Sequence, residues 1–425
     1  MIEGYKDSPL GEIPKSWDVV ELSDLAEIKG RIGYRGYTKE DLVSKGNGAL
    51  AIGGSQINKL NKLNLQNPVY INWKKYEESP EIKIEEGDIV FAQRGTLGRT
   101  ALIELLPEPA TINPSMVLIK NIKCNKTLLY YFLCSNHVQD IVTKISSSTA
   151  VPMISQKQIK EFKIPLPSLP EQKKIAEILS TVDEKIEVID QQITETQALK
   201  KGLMQRLLTK GIGHTEFKES SLGMIPQSWE VVKFGDLISG HCYGPRFSSK
   251  DYSVTGNVKT IRGTDINKSG EILYQQVPTA ILPNDFVENH KLRDGDLVMI
   301  TTADCGLTGV YFDQGFPFIP SAYAVRIRLN EYANSVYFKF IFQTELAKNQ
   351  VDKYIRKGTV ANLPGSDILK LSFPTPPIKE QQKIADILNA VDEKLDVLAK
   401  KKTHYQELKQ GLMQQLLTGK IRVKV

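Results

Sequence analysis

The chain has 425 residues, 41% of them hydrophobic, with a formal net charge of +6, enough for two or three domains with real cores. No apolar run approaches the roughly 20 residues of a membrane span, the start Met1-Ile2-Glu3-Gly4 carries no signal-peptide pattern, and four scattered cysteines without a Cys-x-x-Cys pair point to a cytoplasmic protein lacking disulfides and structural zinc. The modest positive charge does not settle whether nucleic acid is a partner, because a basic footprint can be local.

A first globular region, 1–165, opens with Leu10-Gly11-Glu12-Ile13-Pro14-Lys15-Ser16-Trp17. Short strands are predicted at 19–22, 49–52, 88–92, 101–103 and 116–119, with one helix over 126–145. Its informative polar residues lie in loops. Lys29-Gly30-Arg31-Ile32-Gly33-Tyr34-Arg35-Gly36-Tyr37 interleaves basic and aromatic residues with glycines that allow close backbone approach. Arg31, Tyr34 and Arg35 are candidate DNA contacts, since arginine reads guanine's major-groove edge and hydroxyls hold phosphates; a solvated loop with packed tyrosines is the alternative. In Gly53-Gly54-Ser55-Gln56-Ile57, the Gln56 amide suits adenine. Gln93-Arg94-Gly95-Thr96-Leu97-Gly98-Arg99 resembles a hairpin tip presenting Arg94 and Arg99, though its glycines would equally serve turn geometry. The hydroxyl-rich Ser146-Ser147-Ser148-Thr149 suits backbone contact, and the Pro-rich Ile164-Pro165-Leu166-Pro167 is expected to separate this region from the next segment.

That segment, 166–212, reads as one long helix. Apolar residues at Ile175, Ile178, Leu179, Val182, Ile186, Ile189, Ile193, Leu199, Leu203 and Leu207 keep a 3–4 spacing, and 39 such residues would span about 58 Å. It opens Glu171-Gln172-Lys173-Lys174-Ile175-Ala176 and closes Gly202-Leu203-Met204-Gln205-Arg206-Leu207-Leu208-Thr209. The stretch returns as Glu380-Gln381-Gln382-Lys383-Ile384-Ala385 through Gly411-Leu412-Met413-Gln414-Gln415-Leu416-Leu417-Thr418, with 23 of 39 positions identical. Such a seam needs a partner, and the other copy can supply it.

The repeat is wider than the helices. Leu222-Gly223-Met224-Ile225-Pro226-Gln227-Ser228-Trp229 opens a second globular region, 213–374. Strands are predicted there at 259–261, 296–300, 309–312 and 324–328, with one helix over 333–355. Tyr243, Arg246, Arg262, Thr264, Arg356 and Lys357 are its candidate DNA contacts; Arg262 suits guanine unless it only shapes a turn. The Pro-rich Phe373-Pro374-Thr375-Pro376-Pro377 leads into a last segment, 375–425, holding the second long helix and a tail. The fold expected is α+β: two pseudo-repeated mixed α/β domains separated by two long helices that pair as an antiparallel coiled coil.

Motifs for catalysis are missing. The Gly-Lys at Gly419-Lys420 is followed by Ile421, so it is no phosphate loop. Asn113-Pro114-Ser115-Met116 lacks the second proline and the aromatic of an amino-methyltransferase tetrad, and Gly30, Gly33 and Gly36 have the wrong spacing for a dinucleotide site. No metal site is expected, and no catalytic residue is assigned.

The duplicated Glu-Gln-x-x-Ile-Ala and Gly-Leu-Met-Gln-x-Leu-Leu-Thr helix and the Gly-x-Ile-Pro-x-x-Trp opening resemble the specificity subunit of Type I restriction-modification systems, across the whole chain. The resemblance implies two target-recognition domains, each reading half of a split, asymmetric double-stranded DNA sequence. It also implies docking of modification (methyltransferase) subunits and association with a restriction (endonuclease and translocase) subunit. AdoMet, ATP and Mg would belong to those partners, leaving this chain a non-catalytic reader. The competing reading is a coiled-coil scaffold with two protein-binding domains, which would show no salt-dependent, sequence-selective DNA binding.

Overall fold

Successive residues of the strand Ile89–Ala92 enter different cores. Ile89 and Phe91 meet the aromatic-rich helix Lys126–Leu133, while Val90 and Ala92 face Leu50, Ile52 and Ile112. This two-residue period sets a four-stranded antiparallel sheet between a helical layer and a second sheet. The first sheet runs Glu27–Gly30, Met116–Lys120, Ile89–Ala92, Thr100–Leu102. The second runs Ala110–Ile112, Gly48–Ile52, Tyr70–Asn72, Leu42–Val43, its first pair parallel. This computed structural model describes residues 4–147 and 152–424, apart from the Tyr34 side chain; Ser148 and Thr149 therefore lie outside the described residues.

The second globular region is built the same way. Ile238–Tyr243, Ala324–Leu329, Leu297–Ile300 and Thr308–Val310 form the central sheet. Leu297 and Met299 face the helices, and Val298 and Ile300 face the other layer, where Val258–Ile261 pairs in parallel with Phe318–Pro320. By contacts the chain forms two compact units, Met1–Asp190 with Lys401–Val425, and Gln191–Lys400. Each unit thus owns one globular region and a stretch of both long helices, Leu169–Lys210 and Ile378–Leu416. Among the described residues, no helix is long and apolar enough to cross a membrane.

Within each unit the helix stretches run antiparallel. In the first, Asp183 pairs with Lys409 at 2.7 Å and Asp190 with Lys402. In the second, Lys200 pairs with Asp392, and Leu207 and Leu208 share a core with Ile384 and Leu388. The expected seam is incomplete, because Leu199 is 52% exposed and Ile387 and Leu408 are also exposed. Thr196, at 4% exposure, occupies the inward position instead.

The two predicted globular helices are each broken into two. Lys126–Leu133 is followed by Asn136–Ser146, and Ser335–Ile341 by Glu345–Tyr354. Ser135 and Thr344 adopt the extended conformation of a helix N-cap at the breaks, and Thr344 Oγ1 accepts from the Ala347 N–H. The Pro-rich stretches are not mere separators. Lys163–Leu166 pairs antiparallel with Asp18–Glu21, and Ser372–Thr375 with Glu230–Lys233. Proline is tolerated there because each strand lies in a two-stranded sheet with an open edge.

The repeated Glu-Gln pair is a structural lock. Gln172 accepts from the Asn125 N–H at 2.9 Å and donates to Pro167 O; Gln381 accepts from the Asn334 N–H at 2.8 Å and donates to Pro376 O. Asn125 and Asn334 in turn cap the aromatic-rich helices. Each long helix is thereby tied at its start to its own globular region. Glu380 accepts from Trp229 Nε1 at 3.0 Å, from the Ile212 N–H at 3.0 Å, and lies 2.8 Å from His214 Nε2. Gly211, at φ +65°, turns the chain out of the first long helix so that this contact forms. In the first unit, Glu171 instead holds the Arg422 guanidinium, which lies 6.0 Å from the Trp17 ring.

Candidate nucleic-acid interface

In the first unit, loops meet where the parallel strand Gly48–Ile52 and the central strand Ile89–Ala92 end. The Asn113 N–H donates to Ile52 O at 2.9 Å, the Gln93 and Arg94 N–H groups both donate to Ser115 O, and the Ile154 N–H donates to Gln93 O. The loops 53–57, 93–99 and 113–116 therefore form one rim. In the second unit the Ser321 N–H donates to Ile261 O at 2.8 Å, the Thr301 N–H to Tyr323 O, and the Leu363 N–H to Thr301 O. Loops 262–266, 301–306, 321–324 and 356–362 form the matching rim.

Several predicted contacts are engaged inside the protein. Arg31 is buried; its guanidinium donates to Ile112 O at 3.2 Å, Thr111 Oγ1 at 3.1 Å and Arg35 O at 3.3 Å, with the Tyr37 ring 5.5 Å away. Burial lowers its pKa, against the opposing pull of Tyr37 and Glu81. Arg35 lies 3.7 Å from Glu81. Gln56 is buried, accepts from the Gly53 N–H and donates to Asn67 O, so its amide closes its own turn. Asp265 makes the same bond to the Arg262 N–H, and is thus the true counterpart of Gln56. Arg99 donates to Ile57 O at 2.8 Å. Arg262 lies bidentate on Asp265, at 3.0 and 2.9 Å, and stays partly exposed. Tyr243 accepts from the Gly365 N–H at 2.7 Å through its hydroxyl.

Others remain outward. Arg94 is exposed, with Nε 2.8 Å from Met153 Sδ. Arg246, Thr264, Arg356 and Lys357 are exposed, and Arg356 is fixed on the rim by a mutual backbone pair with Asn362. The Tyr34 side chain lies outside the described residues. Around the second rim, Arg246, Arg262, Arg356 and Lys357 supply a cationic fringe suited to a phosphate backbone. Two features escaped the sequence reading: Asn113-Pro114-Ser115-Met116 is a rim turn, and Tyr323 stands 63% exposed at the equivalent place in the second unit.

Internal engagement predicts a stability role for Arg31. Arg31→Ala should lower the unfolding free energy of the first unit by about 2–3 kcal/mol, because buried hydrogen bonds from a charged group are lost. Arg246→Ala, by contrast, should leave the unfolding free energy from urea titration unchanged within about 0.5 kcal/mol.

Residues 14–198 and 226–409 each match the model of the Type I restriction modification DNA specificity domain. The chain is 30% identical to the putative type I restriction enzyme MjaX specificity subunit of Methanocaldococcus jannaschii, over 99% of this chain and 97% of that one. It is 27% identical to the type I restriction enzyme MjaVIII specificity subunit of the same organism, again over 99% and 97%. The solved Type-I restriction-modification system S subunit from M. genitalium has a similar fold, with a TM-score of 0.58 at 15% identity over 94% of this chain and 96% of that one.

Proposed function

The chain belongs to the family of Type I restriction-modification specificity subunits, and on that premise we propose that each unit reads one half of an asymmetric, bipartite double-stranded DNA target. One observation carries this reading: the same rim is built twice, on the same strands and with the same backbone bonds, but with different outward side chains. A shared frame with unlike surfaces suits two unlike half-sites, much as a dimer's symmetry suits a palindrome. On the rims, Arg94 in the first unit and Arg246, Arg356 and Lys357 in the second are cationic side chains exposed to face DNA. Arg262 can do so only while sharing its guanidinium with Asp265.

Docking of modification subunits is assigned to the long helices, where Val188, Leu199 and Val397 leave apolar surface exposed. A restriction subunit would join that larger assembly in the cytoplasm. AdoMet, ATP and Mg would be held by those partners, and this chain would contribute recognition without catalysis. The reading is tested by selecting bound sequences from a random double-stranded library at several salt concentrations. Enrichment of a split target, with affinity falling steeply as salt rises, is expected; a scaffold for protein partners would enrich nothing.

A further inference from the structure

The turns 113–116 and 321–324 occupy one position on the two rims. Each joins the strand paired in parallel to the middle strand of its central sheet, and each closes on itself, Met116 N–H to Asn113 O at 3.1 Å and Ala324 N–H to Ser321 O at 3.0 Å. Each is also anchored through its third residue, whose carbonyl accepts from Gln93 N–H in one unit and from Thr301 N–H in the other, both at 2.9 Å. Those third residues are Ser115 and Tyr323.

Their side chains do opposite things. The Ser115 hydroxyl turns back onto Asn113 Oδ1 at 2.6 Å and is spent within the turn. Tyr323 is 63% exposed, and its hydroxyl has no hydrogen-bond partner among the described residues. Its backbone, by contrast, is held twice, since the buried Thr301 donates to Tyr323 O through both its N–H and its hydroxyl, the latter at 3.0 Å. An exposed aromatic on a doubly clamped turn has little backbone freedom to lose on binding, and it offers an apolar body with a polar tip. The neighbouring rim groups are the Arg262 turn and the Arg356 pair with Asn362, so the turn that carries the ring lies beside the cationic fringe.

We propose that Tyr323 is a specificity-determining residue of the second unit, contacting a base of its half-site, and that the first unit makes no such contact at Ser115. The proposal rests on the chain being a DNA-reading specificity subunit. It is tested with the full chain assembled with a modification subunit, by methylating libraries in which every base pair of the target is varied. Tyr323→Ala should lose roughly tenfold discrimination at one base pair, or two adjacent ones, of a single half-site, one contact's share of readout, while the other half-site is read as before. Ser115→Ala should leave the whole profile unchanged. Equal weakening of Tyr323→Ala at every sequence would make the residue a phosphate contact and overturn the proposal, as would an unaltered profile. The unsubstituted complex separates the two levels: lacking any split target, it removes the functional reading itself, whereas a split target with an indifferent Tyr323 removes only this assignment.

Discussion

Trp229→Ala is expected to destabilise the second unit by about 3–5 kcal/mol, the usual cost of deleting a large buried aromatic. Trp229 is fully buried and its indole N–H ends on Glu380. The same carboxylate receives the Ile212 N–H and faces His214, so Glu380→Ala strands several polar groups at once and should cost about 2–4 kcal/mol. Because the two side chains bond directly, the losses should not add; a double-mutant cycle should return about 1–3 kcal/mol of coupling. The first unit supplies the control. Among the described residues Trp17 Nε1 is buried without a partner, and Glu171 bonds Arg422 instead, so Trp17→Ala and Glu171→Ala should combine more nearly additively. Urea midpoints of the singles and doubles check this; equal coupling in both units would contradict it.

The second large effect lies on the central sheet of the second unit. Asp296 is buried and held by Arg328 through two bonds, Nε to Oδ1 at 2.9 Å and Nη2 to Oδ2 at 2.7 Å. Arg328→Met would leave a buried carboxylate without its cation, a loss of about 3–5 kcal/mol. Adding Asp296→Asn removes the charge while keeping an acceptor for the Arg293 N–H, so the double variant should recover most of that loss. A double variant no more stable than Arg328→Met would show that shape, not charge, had been lost. Among the described residues of the first unit there is no such pair. Lys120 occupies the place of Arg328 but donates to Lys83 O, and burial pushes the Asp88 carboxyl up.

The frame was legible in sequence wherever one periodicity or one repeated motif carried it. The long helices announced themselves through their apolar spacing, and the Glu-Gln and Trp landmarks proved to be the locks that join helix to globular region. The helix breaks were less visible, because Ser135 and Thr344 cap locally within stretches whose apolar pattern runs on through them. The rim residues were the hardest. Arg31 and Gln56 look like base readers in a linear reading, yet Arg31 bonds Ile112 O, far along the chain, and Gln56 is used to close its own turn on the Gly53 N–H. Arginine on a loop has the same composition whether it faces solvent or crosses back over a strand end. Tyr323 is the opposite case: nothing in Ser321-Ala322-Tyr323-Ala324 marks it, and only the folded chain shows an exposed ring on a turn whose backbone Thr301 clamps.

The most direct measurement is to co-express the chain with a modification subunit and map every methylated position in the host DNA, alongside the isolated chain. Methylation confined to one asymmetric target of two defined halves around unread base pairs is predicted, with none from the chain alone. A single uninterrupted target, methylation without sequence preference, or methyl transfer by the isolated chain would contradict the account.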